Sequence, residues 1–453
     1  MTMADELAAL RTENEALRCE LALLREQLAA LARIAELEQR PPDPPAFVKP
    51  TTPARPPTPR TKRQPKHNRA RRLQAPTQVV QHALDHCPDC QRCLRGQSLA
   101  RRRQVIDLPE PAPVTVTEHQ LLKRYCWHCQ RWHTPRLDLA GQVLGQRRFG
   151  VRLMSLLAYL HTSLRLPIAQ IQTYLATLPQ LQLSAGAMVD LVQAVAQHGA
   201  PTVAALEQAI RTSPIVHADE TGWREGGQNG YIWSFSTPGP QGLRYYTFDR
   251  SRSGHVARRV LGGTFGGHLV SDFYSGYNRL PGPHQRCWAH LLRDLHALKE
   301  QQGQDVRIRQ WAGHVAATYR LAQQRLAQTP ALTAAQRQAL YGRLVVRVAE
   351  LGRQHASARG HPCQALAKRL LRHQDELFQF VVADGLDATN KLAERSLRPL
   401  VIGCMISGGT RSSVGSATRM GLASLFATWR ARGRNPFAEC LRMLTSQTPL
   451  PQF

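Results

Sequence analysis

The chain has 453 residues, room for two to four domains that each bury a core of their own. It carries 59 Lys and Arg against 32 Asp and Glu, a net charge of +27, which points to a polyanionic partner with nucleic acid as the commonest. No apolar run reaches the ~18 residues of a membrane span, and the acidic start Met-Thr-Met-Ala-Asp-Glu lacks the layout of a signal peptide, so integral membrane and secreted classes are set aside.

Leu7, Asn14, Leu21 and Leu28 recur every seven residues, and Leu10, Leu17, Leu24 and Leu31 follow three positions behind each. The two sets fill a and d of a heptad seam, so residues 1–40 are predicted to form a coiled coil, with Asn14 fixing register, and to drive homo-oligomerisation. Residues 41–79 change composition abruptly: between Pro41 and Pro76 stand eleven prolines, nine Lys or Arg and one acid, Asp43. Such a stretch cannot build a core and is read as an extended linker and a basic arm for phosphates, with Lys62, Arg63, Lys66, Arg69, Arg71 and Arg72 its densest group.

Residues 80–140 hold Cys87-Pro-Asp-Cys90 and Cys126-Trp-His-Cys129. Four of the ten cysteines in two tight pairs fit metal ligation in a reducing compartment better than disulfides, and the expected location is cytoplasm or nucleoid. Four thiolates suit tetrahedral structural zinc, and short strands predicted at Val105–Ile106 and Val114–Val116 make the region a zinc ribbon. His86, Cys93, His128 and His133 break the two-plus-two symmetry and are read as surrounding residues. Residues 141–212 turn helical, with Leu153, Leu156, Leu157 and Leu160 on one face, then Ile168 to Leu175, then Met188 to Val195 opened by Ser184. Breaks at Pro167 and at Ala185-Gly186 resemble a helix-turn-helix, a weak signal for a helical DNA-binding domain.

From residue 213 to 299 the pattern becomes β. Ile215-Val-His-Ala-Asp219-Glu220-Thr221 reads as a buried strand ending in acids, followed by strands at Gly230–Ser236 and Leu243–Phe248, a helix at Ser253–Leu261, and Gly267-His-Leu-Val-Ser-Asp272, a second apolar run ending in a carboxylate. If these two strands are neighbours, Asp219 and Asp272 come close enough to need cations between them. Glu394 is the best third carboxylate for a two-metal phosphoryl-transfer site. Asn390, Glu394 and Arg398 fall at i, i+4 and i+8, one row of a helix that Pro399 is expected to end or kink. Glu220 alternates to the other face of its strand; Asp294, Asp384 and Asp387 are the rival acids. Cys287-Trp-Ala-His290 has metal-like spacing, yet a lone Cys and His more often pack beneath a sheet, and His290 is retained as a phosphate or metal-shell contact. Residues 300–385 read as an all-helical insertion. Residues 386–453 complete the core, with helices at Ser416–Arg430 and after Asn435-Pro436.

His217-Ala-Asp219-Glu-Thr221, Ser271-Asp272-Phe-Tyr-Ser-Gly-Tyr277, Cys287-Trp-Ala-His290 and Asn390 to Pro399, in that order behind the coiled coil and zinc motifs, resemble the IS66 family of insertion-sequence transposases across essentially the whole chain. The resemblance implies an α/β core of RNase H-like type, a mixed sheet with an all-helical insertion, and a DDE triad of Asp219, Asp272 and Glu394 holding two Mg²⁺ or Mn²⁺ ions. It implies a DNA transposase that binds element ends, cuts by water attack and joins by attack of the freed 3′-hydroxyl, with accessory proteins of the same element as further partners. DNA contacts are expected from Lys62, Arg63, Arg71, Arg72, His290, Asn390, Arg395 and Arg398. The family pattern has Asn-Asn at Asn390-Lys391 and a basic pair at Cys404-Met405. The rival classes are a nuclease of the same fold, a non-catalytic zinc-containing DNA-binding regulator, and an inactive transposase copy.

Overall fold

The structure, a computed structural model, describes residues 75–446 apart from 97, 100, 107–112, 303 and 329, together with Leu21, Arg25 and Leu28. Those three are helical, with Leu21 and Leu28 exposed; the rest of the heptad seam and the basic arm, including Lys62, Arg63, Arg71 and Arg72, lie outside the described residues. The chain divides into two compact units, Met1–Leu108 and Pro109–Phe453, with the boundary between the two Cys-x2-Cys pairs. No described helix is long and apolar enough to cross a membrane.

In the first unit Cys87-Pro-Asp-Cys90 is a tight turn, with Gln91 N–H donating to the Cys87 carbonyl at 2.8 Å. His86 bridges to Cys93, their Nε2 and Sγ 3.4 Å apart. The strands expected at Val105–Ile106 and Val114–Val116 do not form: Val105, Ile106 and Val116 are exposed and unpaired among the described residues, because so few apolar side chains have no second strand to cover them.

The second unit instead pairs β1 (Arg124–Cys126) with β2 (Arg131–His133) as an antiparallel hairpin around the second Cys turn, where Tyr125 packs edge-on against Trp127 and Trp132. Three helices follow: α1 (Val151–Thr162), α2 (Ile168–Thr177) and α3 (Ala185–Arg211). Ala185-Gly186 does not break the path; it is the first turn of α3, because Ser184 caps it by accepting from Ala187 N–H at 3.2 Å. The helix then runs 27 residues, past an exposed Pro201 that any bend can accommodate on the solvent side.

The β region continues as β3 (Ile215–Glu225), β4 (Gln228–Ser236), β5 (Arg244–Asp249), α4 (His255–Leu261), β6 (His268–Ser271) and β7 (His284–Arg286). Five helices come next, α5 (Trp288–Gln301), α6 (Val306–Leu326), α7 (Ala334–Ala356), α8 (Gln364–Arg372) and the short α9 (Gln379–Val382). The chain closes with α10 (Lys391–Ser407), α11 (Ser413–Ala431) and α12 (Pro436–Thr445). The sheet order is β5-β4-β3-β6-β7, antiparallel on the β5-β4-β3 side and parallel on the β3-β6-β7 side. This is an α/β core with a mixed sheet, and α5 to α9 gather around Trp288, Trp311, Leu344 and Phe378 in a core that also takes in Val270 of β6.

Strand alternation sorts side chains between two layers. On one face Val216, Ala218, Trp233 and Phe235 meet Leu206 and Ile210 of α3 and Val256 and Val260 of α4. On the other Trp223, Ile232 and Tyr246 meet Leu397 and Leu400 of α10 and Met420 of α11. The helices α1, α2 and the start of α3 share a core with Phe426 and Trp429 of α11 and Met443 of α12, so chain start and chain end of this unit fold together. Pro399 does not end α10, which continues to Ser407 and closes on Gly408 at φ 68. Leu397 and Leu400 are buried on either side of the proline, and that packing outweighs the missing N–H.

Candidate active site

Parity along β3 decides where its acids point. Val216 and Ala218 face α3 and α4, so Glu220 does too, whereas Asp219 shares the face of Trp223 and looks toward α10. Glu220 is accordingly taken up: it accepts from the Tyr277 hydroxyl and from Arg252 at 2.9 and 3.1 Å. Asp219 has no such cation among the described residues. Its Oδ1 accepts the Glu220 N–H at 3.0 Å.

Asp272 follows directly on β6, the parallel neighbour of β3, and its Oδ1 accepts the Tyr274 N–H at 2.9 Å. Glu394 lies in the first turn of α10. The start of that helix is stitched to the sheet by three bonds: Asn390 Nδ2 donates to the Ala218 carbonyl at 2.8 Å, Asn390 N–H to Cys287 Sγ at 3.1 Å, and Trp288 N–H to the Ala388 carbonyl at 3.0 Å. Because Ala218 precedes Asp219, the first of these ties one acid-bearing element to the next.

Asp219 feels the acids around it. Loss of hydration on burial, reinforced by the charges of Glu220, Asp272 and Glu394, pushes the Asp219 carboxyl up to about 8. Glu394 Oε1 and His290 Nδ1 stand 3.7 Å apart, both buried and without a hydrogen bond. Hard oxygen donors, one oxygen of each Asp held by a main-chain N–H and a buried oxygen of Glu394 without a hydrogen bond, suit a divalent cation of the Mg²⁺ or Mn²⁺ type by their chemistry, although the three carboxylates do not all lie within 4.8 Å of one another. Cys287, His290 and Glu394 also offer ligand atoms within 4.8 Å of one another, but the Cys287 sulfur is already engaged by Asn390 and burial pushes its thiol up. The rival acids have partners elsewhere: Asp294 pairs with Arg369, Asp384 with Arg337, and Asp387 accepts from Thr389 N–H and hydroxyl at 2.8 and 3.0 Å.

A family model described as the IS66 family of transposases matches residues 146–418, more than half of the chain. The chain belongs to that family. No curated protein matches it. In this IS66 chain the expected DNA contacts divide. Arg395 and Arg398 are exposed on α10, and His290 is half-buried beside Glu394. Asn390 is fully buried and bound to β3, where it ties the start of α10 to the sheet. Of the departures from the family pattern, Lys391 and Met405 are exposed and Cys404 half-buried.

Among the metal-ligating types away from these acids, Cys126, Cys129 and His133 bring ligand atoms within 4.8 Å of one another, so His133 stands near enough to the second Cys turn to compete as a ligand, as its position in the sequence suggests. The polar strand β7 and its Arg286 were missed altogether. His284, Gln285 and Arg286 carry no hydrophobic signal, yet all three are buried, because each polar group is satisfied: Gln285 alone bonds the Leu377 carbonyl at 3.1 Å and the Phe380 N–H at 3.0 Å.

Proposed function

We propose that this transposase-family chain is an active DDE enzyme that binds the ends of its element and carries out metal-dependent DNA cleavage and strand transfer with Asp219, Asp272 and Glu394. The observation that supports the reading is that Asp219 on β3, pushed up to about 8 by burial first and by the charge of Glu220 next, also feels the charges of Asp272 at the end of β6 and Glu394 in the first turn of α10. The sheet order, a central first strand with antiparallel neighbours on one side and parallel ones on the other, supports an RNase H-like core. The helical segment α5 to α9 between β7 and α10 is its insertion.

Two Mg²⁺ or Mn²⁺ ions held by the three carboxylates supply the charge neutralisation for in-line attack on a DNA phosphate. The protein's own share is geometric. Main-chain N–H groups fix one oxygen of Asp219 and one of Asp272, which sets the orientation of each carboxylate. Asn390 keeps α10, and with it Glu394, against β3. Arg395 and Arg398 stand exposed on that helix as phosphate contacts. Water attack frees a 3′-hydroxyl, whose attack on target DNA is the same displacement run again.

In this reading residues 1–40 bring copies of the chain together on double-stranded DNA, the basic arm at residues 41–79 and the +27 surplus supply phosphate affinity, and zinc at the Cys87, Cys90, Cys126 and Cys129 motifs is structural. The test is a labelled element end incubated with the full chain and Mg²⁺, with gel shift in parallel. Asp219→Asn, Asp272→Asn and Glu394→Gln should keep the shift and lose cleavage by on the order of 10³-fold or more. Binding without any cleavage by the unaltered chain would favour the regulator instead.

A further inference from the structure

Arg286 is among the largest fully buried side chains of the protein, although guanidinium groups are rarely taken wholly out of water. Its strand, β7, lies parallel to β6 with Arg286 opposite Ser271, and Cys287 N–H donates to the Ser271 carbonyl at 2.9 Å. From there the guanidinium spreads over the segment that follows β6. Nη1 donates to the Ser271 hydroxyl at 3.1 Å and to the Asp272 carbonyl at 2.9 Å, and Nη2 donates to Asn278 Oδ1 at 2.8 Å. Nε donates to Glu376, whose carboxylate also bonds His373 at 2.9 Å. Glu376 belongs to a short 3₁₀ turn, Gln374–Glu376, between α8 and α9. Burial would raise its carboxyl, but the His373 hydrogen bond and the Arg286 charge overcome this and hold it at about 2.

We infer that Arg286 is a positioning residue for Asp272, and that Glu376 makes the helical insertion the anchor of this clamp. The inference rests on the metal-centre reading above. With its carbonyl held by Arg286 and Oδ1 by Tyr274 N–H, Asp272 has main chain and side chain fixed from opposite ends. The insertion thus acts on the acids without lending one of its own. A planar fork bonding in three directions is needed; a lysine keeps the charge and cannot hold Ser271, Asp272 and Asn278 at once.

The experiment measures the Mn²⁺ concentration for half-maximal cleavage of a labelled element end by the full chain, with gel shift and thermal melting in parallel. Arg286→Lys should leave DNA binding intact and raise the half-saturating Mn²⁺ by about tenfold or more. A merely structural arginine would lower the melting point and the active fraction but leave the Mn²⁺ midpoint unmoved, and that result overturns the inference. Should Arg286→Lys fail to fold, Glu376→Gln, which keeps an acceptor and removes the anchoring charge, is expected to shift the midpoint in the same direction; an unchanged midpoint there overturns it equally. Asp272→Asn separates the two levels. If that variant still cleaves, the metal-centre reading falls and the positioning role with it; if it is dead while the Arg286 and Glu376 variants keep the normal midpoint, only the positioning role falls.

Discussion

Removing the Asp219 charge should make the metal-free protein more stable. A carboxyl shifted from 3.8 to about 8 on folding must take up a proton to fold at pH 7, at a cost of about 4 kcal/mol relative to an unshifted group. Asn has nearly the same shape and no charge, so Asp219→Asn should recover about 2–4 kcal/mol in chelator, the lower figure allowing for the Glu220 N–H bond that a carboxylate accepts better than an amide. The sign follows from the raised value. Protonated Asp219 favours the fold below about 3.8, and that contribution is lost as pH rises through 8, so variant and unaltered chain should melt alike near pH 4 and diverge toward pH 8. At pH 7.5 the gap should be roughly 2–6 °C by calorimetry of the full chain in EDTA. Added Mn²⁺ should narrow it, because only the unaltered chain has the full ligand set to gain from binding. A variant that melts at or below the unaltered chain in EDTA at pH 7.5 would refute the claim that carboxylates crowd here without a cation.

Three further outcomes are expected. Protein purified without added zinc should contain the metal, and Cys126→Ser with Cys129→Ser should lose it in elemental analysis. Deleting residues 1–40 should lower the oligomeric state in light scattering, as the heptad seam of Leu and Asn14 requires. His161, held at about 4 by burial and by the Arg419 charge, must take up a proton on unfolding below its ordinary 6.5, so stability should fall by up to about 3 kcal/mol between pH 6.5 and 4, and His161→Gln should flatten that limb in urea titrations.

The strands that carry apolar side chains were legible from the sequence, since Val216, Trp233 and Leu269 each lie in alternating or continuous hydrophobic runs. Local capping was legible for the same reason: Asn435 accepts from Phe437 and Ala438 N–H at the start of α12. The strand β7 was not, because burial there is achieved by hydrogen bonds. Nor was the path of α10 through Pro399, since a local rule was outweighed by burial of Leu397 and Leu400 against a sheet more than 150 residues away in sequence. At the site, Asp219 and Asp272 could be picked out as acids ending apolar runs, and the opposite placement of Glu220 follows from strand parity alone. The role of Asn390 could not, because a helix N-cap facing inward and a polar row facing DNA have the same spacing. Arg286 is one of 59 basic residues, and nothing in its neighbours marks it as the buried one.

The central claim is that Glu394 joins Asp219 and Asp272 in holding divalent ions for phosphoryl transfer. Its most direct test is Glu394→Cys assayed for cleavage of a labelled element end in Mg²⁺ and in Mn²⁺ side by side, since a thiolate is a poor ligand for the first and a better one for the second. The account predicts cleavage lost in Mg²⁺ and recovered at least in part in Mn²⁺, with gel shift unchanged. A Glu394→Cys chain that cuts in Mg²⁺ as fast as the unaltered protein would contradict it.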